Sequence, residues 1–186
     1  MKFKFLLSIV ALSVLVLYSC TGQKKATSST GASVPVLKLP CQGHRSDANF
    51  FRATGEATSP NLSMSKEKAL TTTRARLAGL IETKVKSVGE QYMKEMQVDD
   101  AFETKSNFER MTREVTNQTL QDVTIICEET LKNDKGLFES YYALEVSKDA
   151  IYNGIKKGIS NDKKLELRYD MEKFREKFDE EMRKLE

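Results

Sequence analysis

A single amphipathic stretch, residues 66–96, most constrains what this chain can fold into. Apolar residues recur in it every three or four positions, as they do on one face of an α-helix. Ser63 or Ser65 can cap its start, and Glu67 lies in the first turn, where the helix dipole favours an anion. We expect the rest of the domain to pack on the stripe formed by Leu70, Leu77, Ile81, Val85, Val88, Tyr92 and Met96.

Three segments are typical of β-strands. Residues 49–57 form the first, in which Gly55 marks either a bulge or a close backbone approach. Residues 121–131 are rich in β-branched side chains, and residues 133–136 (Asn-Asp-Lys-Gly) predict a hairpin turn. Residues 137–147 then return as the partner strand. Its alternating pattern predicts one half-buried face, formed by Phe138, Tyr142, Leu144 and Val146. The opposite, wetter face is formed by Glu139, Tyr141, Ala143 and Glu145.

The remaining patterns are helical. Residues 101–120 predict a second helix, and a short helix weakened by Gly154 and Gly158 begins at Lys148. Ser160 or Asn161 then caps a terminal amphipathic helix over residues 162–186. Together these elements predict an α+β domain with a small antiparallel sheet of about three strands, covered by the long helix. The stripe of the terminal helix is Leu167, Met171, Phe174, Phe178, Met182 and Leu185.

The N-terminal segment predicts export and lipid attachment. Lys2 and Lys4 precede a short apolar run over residues 5–17, which is typical of a secretory signal. The next residues, up to Ser19 and Cys20, resemble the lipobox of bacterial lipoproteins, although Tyr18 departs from its usual small residue. This resemblance implies cleavage before Cys20 and diacylglycerol on its thiol. An ordinary signal peptide with a chance cysteine, or a transmembrane anchor, are the alternatives.

Composition separates a tether from the domain. Residues 21–33 are Ser, Thr, Gly, Ala and Lys with hardly an apolar side chain, which predicts a flexible linker. We divide the chain into a signal peptide (1–19), a tether (20–48), an α+β domain (49–159) and the terminal helix (160–186). Lys24 and Lys25 stand where some lipoproteins carry an acidic surface signal. The sequence therefore favours a lipid-anchored domain that faces the periplasm.

The net charge argues against one class of partner, and the cysteine count raises the question of a disulfide. Two of the 30 Lys and Arg residues lie in the signal, so the remainder has 28 basic and 27 acidic residues and a formal net charge of +1. A nearly neutral chain has no electrostatic reason to bind nucleic acid. With Cys20 lipidated, Cys41 and Cys127 are left in an oxidising compartment. They either form a disulfide, or Cys127 is a small buried residue and Cys41 a free thiol.

Several stretches resemble one lipoprotein family, the LPP-twenty lipoproteins of the bacterial envelope. They are residues 51–57 (Phe-Arg-Ala-Thr-Gly-Glu-Ala), the alanine-rich residues 69–78, residues 115–120, and the strand end at residues 141–146. The likeness covers about residues 49–150 and extends to hypothetical lipoproteins of the Bacteroidetes. It implies a compact α+β domain on an outer-membrane lipoprotein, and it carries no enzyme activity, catalytic residue or cofactor with it.

Candidate catalytic residues have simpler explanations. Cys41, His44 and Asp47 offer a thiol, an imidazole and a carboxylate, as a nucleophilic hydrolase would require, but in a short glycine-containing loop. A zinc site there would need water to complete it, and we predict no metal. Glu128 and Glu129 resemble an acid pair, yet neighbouring residues on a strand point to opposite faces. We therefore predict neither a catalytic site nor a cofactor.

Two functions remain. The first is a non-enzymatic interaction module whose terminal helix pairs with an envelope protein or with a second copy of the chain. The alternative is a small apolar ligand held in a groove between the long helix and the sheet, near Phe50, Glu56 and Tyr141. A deep pocket there would favour the ligand, and a filled core would exclude that position.

Overall fold

The computed structural model describes residues 38–97 and 101–184, and its compact unit begins at Lys38. The signal peptide, Cys20, most of the predicted tether and Leu185 lie outside these residues. The predicted α+β class with an antiparallel sheet and a long covering helix is confirmed. In chain order the elements are β1 (Phe50–Ser59), α1 (Leu62–Glu95), α2 (Ala101–Thr119), β2 (Thr124–Lys132), β3 (Phe138–Ser147), α3 (Lys148–Asn161), α4 (Lys163–Glu166) and α5 (Met171–Arg183).

The sheet has the order β1-β3-β2 with antiparallel neighbours, so β3 is central. A bulge between Ile125 and Cys127 interrupts the pairing of β2 with β3. The predicted turn is present, with Gly136 at φ 76° and its N–H donating to the Asn133 carbonyl at 2.8 Å. The Asn133 side chain accepts from two further backbone N–H groups, which fixes the hairpin.

Helix α1 runs for 34 residues and starts earlier than predicted. The predicted caps are wrong, because Asn61 is the N-cap and its side chain accepts from the Met64 N–H at 3.0 Å. The predicted end of the stripe is also wrong, since Met96 is 39% exposed. The middle of the stripe is buried as expected, and it packs against β1 and β3 through Leu77, Ile81, Val85 and Val88.

Gly55 of β1 marks a close backbone approach, one of the two roles predicted for it. A Cβ on residue 55 would lie 3.0 Å from the backbone nitrogen of Thr73 in α1. The register with β3 runs through this position without a bulge. The missing side chain therefore lets α1 cross the sheet closely.

Gly154 and Gly158 have the same role in α3. A Cβ at either position would lie 2.6 Å from Val115 or Met111 of α2. These residues were expected to weaken a short helix, yet α3 extends over 14 residues. The glycines serve the packing of α2 against α3, which compensates for their low helix propensity.

The terminal helix is not continuous, so its predicted span is wrong. Asp162 caps α4 and Asp170 caps α5, each accepting from backbone N–H groups. Between the two helices the chain turns, and Leu167 is 87% exposed instead of lying in the stripe. Ser160 and Asn161 belong to the end of α3.

An aromatic cluster closes the helical side of the core. Tyr169 stacks on Tyr92 at a centroid distance of 4.7 Å and on Phe108 at 5.4 Å. Phe174 of α5 meets these rings edge-on. Because α5 packs against α1 and α3, its apolar residues Phe174, Phe178 and Met182 are buried in the chain's own core.

Candidate functional site: the outer face and edges of the sheet

The outer face of the sheet, the one that turns away from α1, carries a disulfide. Cys41 and Cys127 are joined with an S–S distance of 2.07 Å across 86 residues of sequence. The bridge packs with Leu39 against Tyr141 and Ala143 of β3. The sequence had left this pairing open, because it cannot show whether two sulfurs meet.

The predicted wetter face of β3 is therefore wrong at its centre. Tyr141 and Ala143 are 5% and 0% exposed, since Leu39 and Cys41 cover them. Residues 38–48, predicted to be part of the tether, lie in the compact unit that begins at Lys38. Cys41 adopts φ 59°, a conformation uncommon for a non-glycine residue, and the bridge and this packing hold it there.

An ion-pair cluster attaches the same segment to β1. Arg52 Nε donates to Glu145 Oε2 at 2.7 Å, and its Nη1 donates to both Asp47 Oδ2 and the Arg45 carbonyl. The backbone N–H of Asn49, then the Arg52 guanidinium, lower the pKa of Asp47. The segment is thus fixed at two points, the disulfide and this cluster.

The outer edge of β1 is closed by neighbouring groups. Ser46 Oγ accepts from the Arg52 N–H at 2.9 Å and donates to the Arg52 carbonyl at 3.3 Å. Arg76 of α1 reaches the Thr54 carbonyl at 2.9 Å and lies 3.7 Å from Glu56. Strand β1 therefore offers little backbone for further pairing.

The edge of β2 is different. Its only strand neighbour among the described residues is β3, and Ile125 and Leu131 are 46% and 47% exposed. Glu128 bonds to Lys66 of α1 at 2.9 Å, and that bond, followed by one from Tyr142, lowers its pKa. Strand β2 is thus the exposed margin of the sheet.

Buried hydroxyl groups lie beside this margin, and sequence reasoning missed them. Ser65 Oγ lies 2.5 Å from Ser140 Oγ, which lies 2.9 Å from Thr130 Oγ1. Ser140 faces α1 among apolar positions of β3, so a small polar residue within a buried strand was the available signal. Next to them, burial and then the bond to Glu128 raise the pKa of Tyr142 to about 12. The network joins the first turn of α1 to both β2 and β3.

The predicted ligand groove is not where the sequence placed it. Glu56 and Tyr141 are register partners on the outer face, and Phe50 lies opposite Ser147 at the end of β1. Between α1 and the sheet, the positions of Phe51, Leu77 and Leu144 are fully buried and packed together. The prediction is wrong because a filled core occupies that interface and the strand alternation puts these residues elsewhere.

A polar cleft of about 490 Å³ does lie between α2 and α3. Its floor contains Val115 and Gly154, and its rim carries charges of both signs. Arg110 is 3.8 Å from Asp162 across this rim. The mixed rim has no sign preference for a charged ligand.

The other candidate residues are separated in the structure. The Cys41 sulfur is bonded to Cys127, so it is not a free thiolate beside His44, and Asp47 is taken up by Arg52. Glu128 turns toward Lys66 of α1, whereas Glu129 lies opposite Tyr141 on the outer face. The two carboxylates therefore point to opposite faces of the sheet, as predicted. In the described part of the chain, no group of three or more His, Cys, Asp or Glu side chains could hold a metal ion.

Comparison with family models, curated proteins and solved structures finds no match to this chain. The resemblance to the LPP-twenty lipoproteins therefore stays a prediction from residues. Across residues 38–97 and 101–184, no helix combines the length and the apolar character needed to cross a bilayer.

Proposed function

We propose that this chain is a lipid-anchored lipoprotein of the bacterial cell envelope, and that its domain is an interaction module, not an enzyme. The anchor rests on the lipobox-like residues before Cys20 and on the signal-like segment that precedes them. The Lys24-Lys25 pair, in place of an acidic run, favours the periplasmic side of the outer membrane.

The Cys41–Cys127 disulfide is the observation that carries this proposal. Protein disulfides form and persist in oxidising compartments such as the periplasm, and they are rare in the cytosol. A lipoprotein signal delivers its protein to the same compartment. The bridge also joins the chain that follows Cys20 to the sheet, so it connects the proposed anchor to the domain.

The proposed anchor sets which partners the domain can meet. With lipid on Cys20, the domain stays attached to a membrane, so the proposed module works on components of the envelope.

The surface proposed for interaction is the exposed margin of the sheet. In the predicted docking stripe of the terminal helix, Phe174, Phe178 and Met182 are buried in the core and do not offer a docking surface. Strand β2 instead has an edge that no other strand of residues 38–97 and 101–184 pairs with, and it carries the half-exposed side chains of Ile125 and Leu131. Such an edge is a template for pairing with another strand.

The proposal is tested by intact mass and membrane fractionation of the protein from its native host. We expect wild type in the membrane fraction, with a mass that fits cleavage before Cys20 and lipid on its thiol. A Cys20→Ala variant should lose both properties. The matched control is the double variant Cys41→Ser/Cys127→Ser, which should keep them. Wild type that is soluble and without lipid would overturn the anchored function.

A further inference from the structure

The two edge strands of the sheet differ: neighbouring groups cover the edge of β1, and the edge of β2 is exposed. The hydrogen bonds at the β1 edge show which residues of β2 direct their backbone groups outward. In an antiparallel pair, alternate residues point their N–H and C=O groups toward and away from the partner strand. Arg52 points away from β3, because both groups bond to Ser46 Oγ. Its neighbour Ala53 therefore bonds to Leu144, which lies opposite it.

The same alternation continues across β3 into β2. Since Leu144 bonds toward β1, Ala143 bonds toward β2, where its partner is Cys127. Cys127 and every second residue after it thus face β3. The residues between them direct their backbone groups to the open edge, and they are Glu128, Thr130 and Lys132.

We infer that this edge pairs antiparallel with β2 of a second copy of the chain, centred on Thr130, so that Glu128 of each copy lies opposite Lys132 of the other. The inference rests on the proposed function, because it names the partner of the interaction module. The bulge between Ile125 and Cys127 limits the pairing to the second half of the strand.

Charge complementarity selects this register. A symmetric pair centred on Glu128 or on Glu129 would place identical carboxylates directly opposite each other, which is destabilising. The pair centred on Thr130 instead sets opposite charges across from each other twice, with the two threonines between them. Opposite charges and paired threonines are both favourable cross-strand neighbours.

The geometry and the membrane both favour this contact. Three outward residues on each copy would form roughly six ladder hydrogen bonds in a short pairing. Leu131, 47% exposed in the single chain, would lie beside Glu129 of the other copy and lose exposure. Such a short edge binds weakly alone, and anchoring on a shared membrane raises the effective concentration of the two copies.

Zero-length crosslinking tests the register directly. Isotopically light and heavy samples of the mature lipoprotein are mixed and reconstituted into phosphatidylethanolamine–phosphatidylglycerol vesicles. A carbodiimide then joins amines to carboxylates in contact. The bond between Lys66 and Glu128 within one chain, whose atoms lie 2.9 Å apart, is the internal control. Vesicle flotation of the same sample reports anchoring separately, and crosslinking is repeated in concentrated solution.

We expect light–heavy crosslinks between Lys132 and Glu128. Lys132→Glu removes the reacting amine, so the dimer fraction of this variant is measured by energy transfer between dye-labelled copies on the vesicles. That fraction should fall about tenfold or more, because like charges then face each other twice. The double variant Glu128→Lys/Lys132→Glu should restore the dimer with reversed crosslinks. Lys135→Glu, in the adjacent turn, is the matched control and should change nothing.

Three results would overturn the inference. The first is the internal Lys66–Glu128 crosslink without any light–heavy product, in vesicles and in solution. The second is a dimer whose yield ignores the charge reversals, which would place the interface elsewhere. The third is a crosslink from Glu128 to Lys24 or Lys25 of the same chain, which would place the segment before Lys38 at this edge instead of a second copy. If the protein fails to float with the vesicles but still gives the Lys132–Glu128 product, the proposed lipid anchor is wrong and the proposed pairing of two copies is supported.

Discussion

Gly89 of α1 lies so close to Phe108 of α2 that a Cβ on residue 89 would stand 2.3 Å from the ring carbon Cε1. The ring cannot move away freely, because it stacks on Tyr169 and meets Phe174 edge-on. The helix pair therefore depends on the absence of a side chain at this position.

Gly89→Ala should consequently destabilise the domain by about 1–3 kcal/mol, the usual range for overpacking a filled core. The measurement is the free energy of unfolding from urea denaturation. Gly79→Ala is the matched control, since nothing lies within 4 Å of a Cβ there. On the same helix it should stabilise by up to about 1 kcal/mol through helix propensity. Equal effects of the two changes would contradict the packing argument.

Reducing the Cys41–Cys127 disulfide should lower the free energy of unfolding by about 2–4 kcal/mol, because the bridge restricts a long loop in the unfolded chain. The two cysteines are 86 residues apart. Denaturation curves with and without reductant measure the difference. The double variant Cys41→Ser/Cys127→Ser should be insensitive to reductant. If thiol labelling shows full reduction and the curve stays unchanged, this prediction is wrong.

Asn61→Ala should cost about 1 kcal/mol, because it removes the acceptor for the Met64 N–H at the start of α1. Ser63→Ala changes an exposed residue on the same first turn and should stay within about 0.5 kcal/mol of wild type. Thermal denaturation of both variants ranks the two positions. A larger loss at residue 63 would restore the cap expected from sequence.

Glu181 should make the free energy of unfolding fall at acid pH. It is 5% exposed, and hydrogen bonds from Lys184 and then Gln91 hold its pKa below the ordinary 4.5. A lowered pKa stabilises the fold above the unfolded value, and that contribution is lost as pH falls through the folded pKa.

Glu181→Gln should therefore flatten the fall in stability below about pH 4.5, measured by urea denaturation at a series of acid pH values. Glu176→Gln, at an exposed position of the same helix, controls for removing a carboxylate from α5. A Glu181→Gln curve as steep as that of wild type would rule out this site as a source of acid sensitivity.

Local patterns predicted much of the fold. The stripe through Leu77 and Ile81 indicated α1, and the Asn133–Gly136 stretch indicated the hairpin. The split of the terminal helix was missed because Leu167, Met171 and Phe174 keep helical spacing across the turn. The signal that could have revealed it was a second N-cap residue, Asp170, since aspartate at that position starts helices.

The outer face depended on contacts distant in sequence. The alternating pattern of β3 puts Tyr141 on the face predicted to be wetter. Tyr141 is buried because the Cys41–Cys127 bridge holds Cys41 and Leu39 against it. Sequence spacing cannot place two segments 86 residues apart against each other. The same limit applied to the predicted groove at Phe50, Glu56 and Tyr141.

The central claim is that lipid on Cys20 holds the domain at a membrane and that the Cys41–Cys127 bridge links the anchored segment to the domain a second time, beside the backbone. A specific protease site inserted between Gln42 and Gly43, both exposed, tests both parts in one measurement. After cleavage on isolated membranes, the domain should stay in the pellet and move to the supernatant only when a reductant is added. Uncleaved protein with reductant should remain in the pellet. A domain that is soluble before cleavage contradicts the anchor, and one released by cleavage without reductant contradicts the bridge.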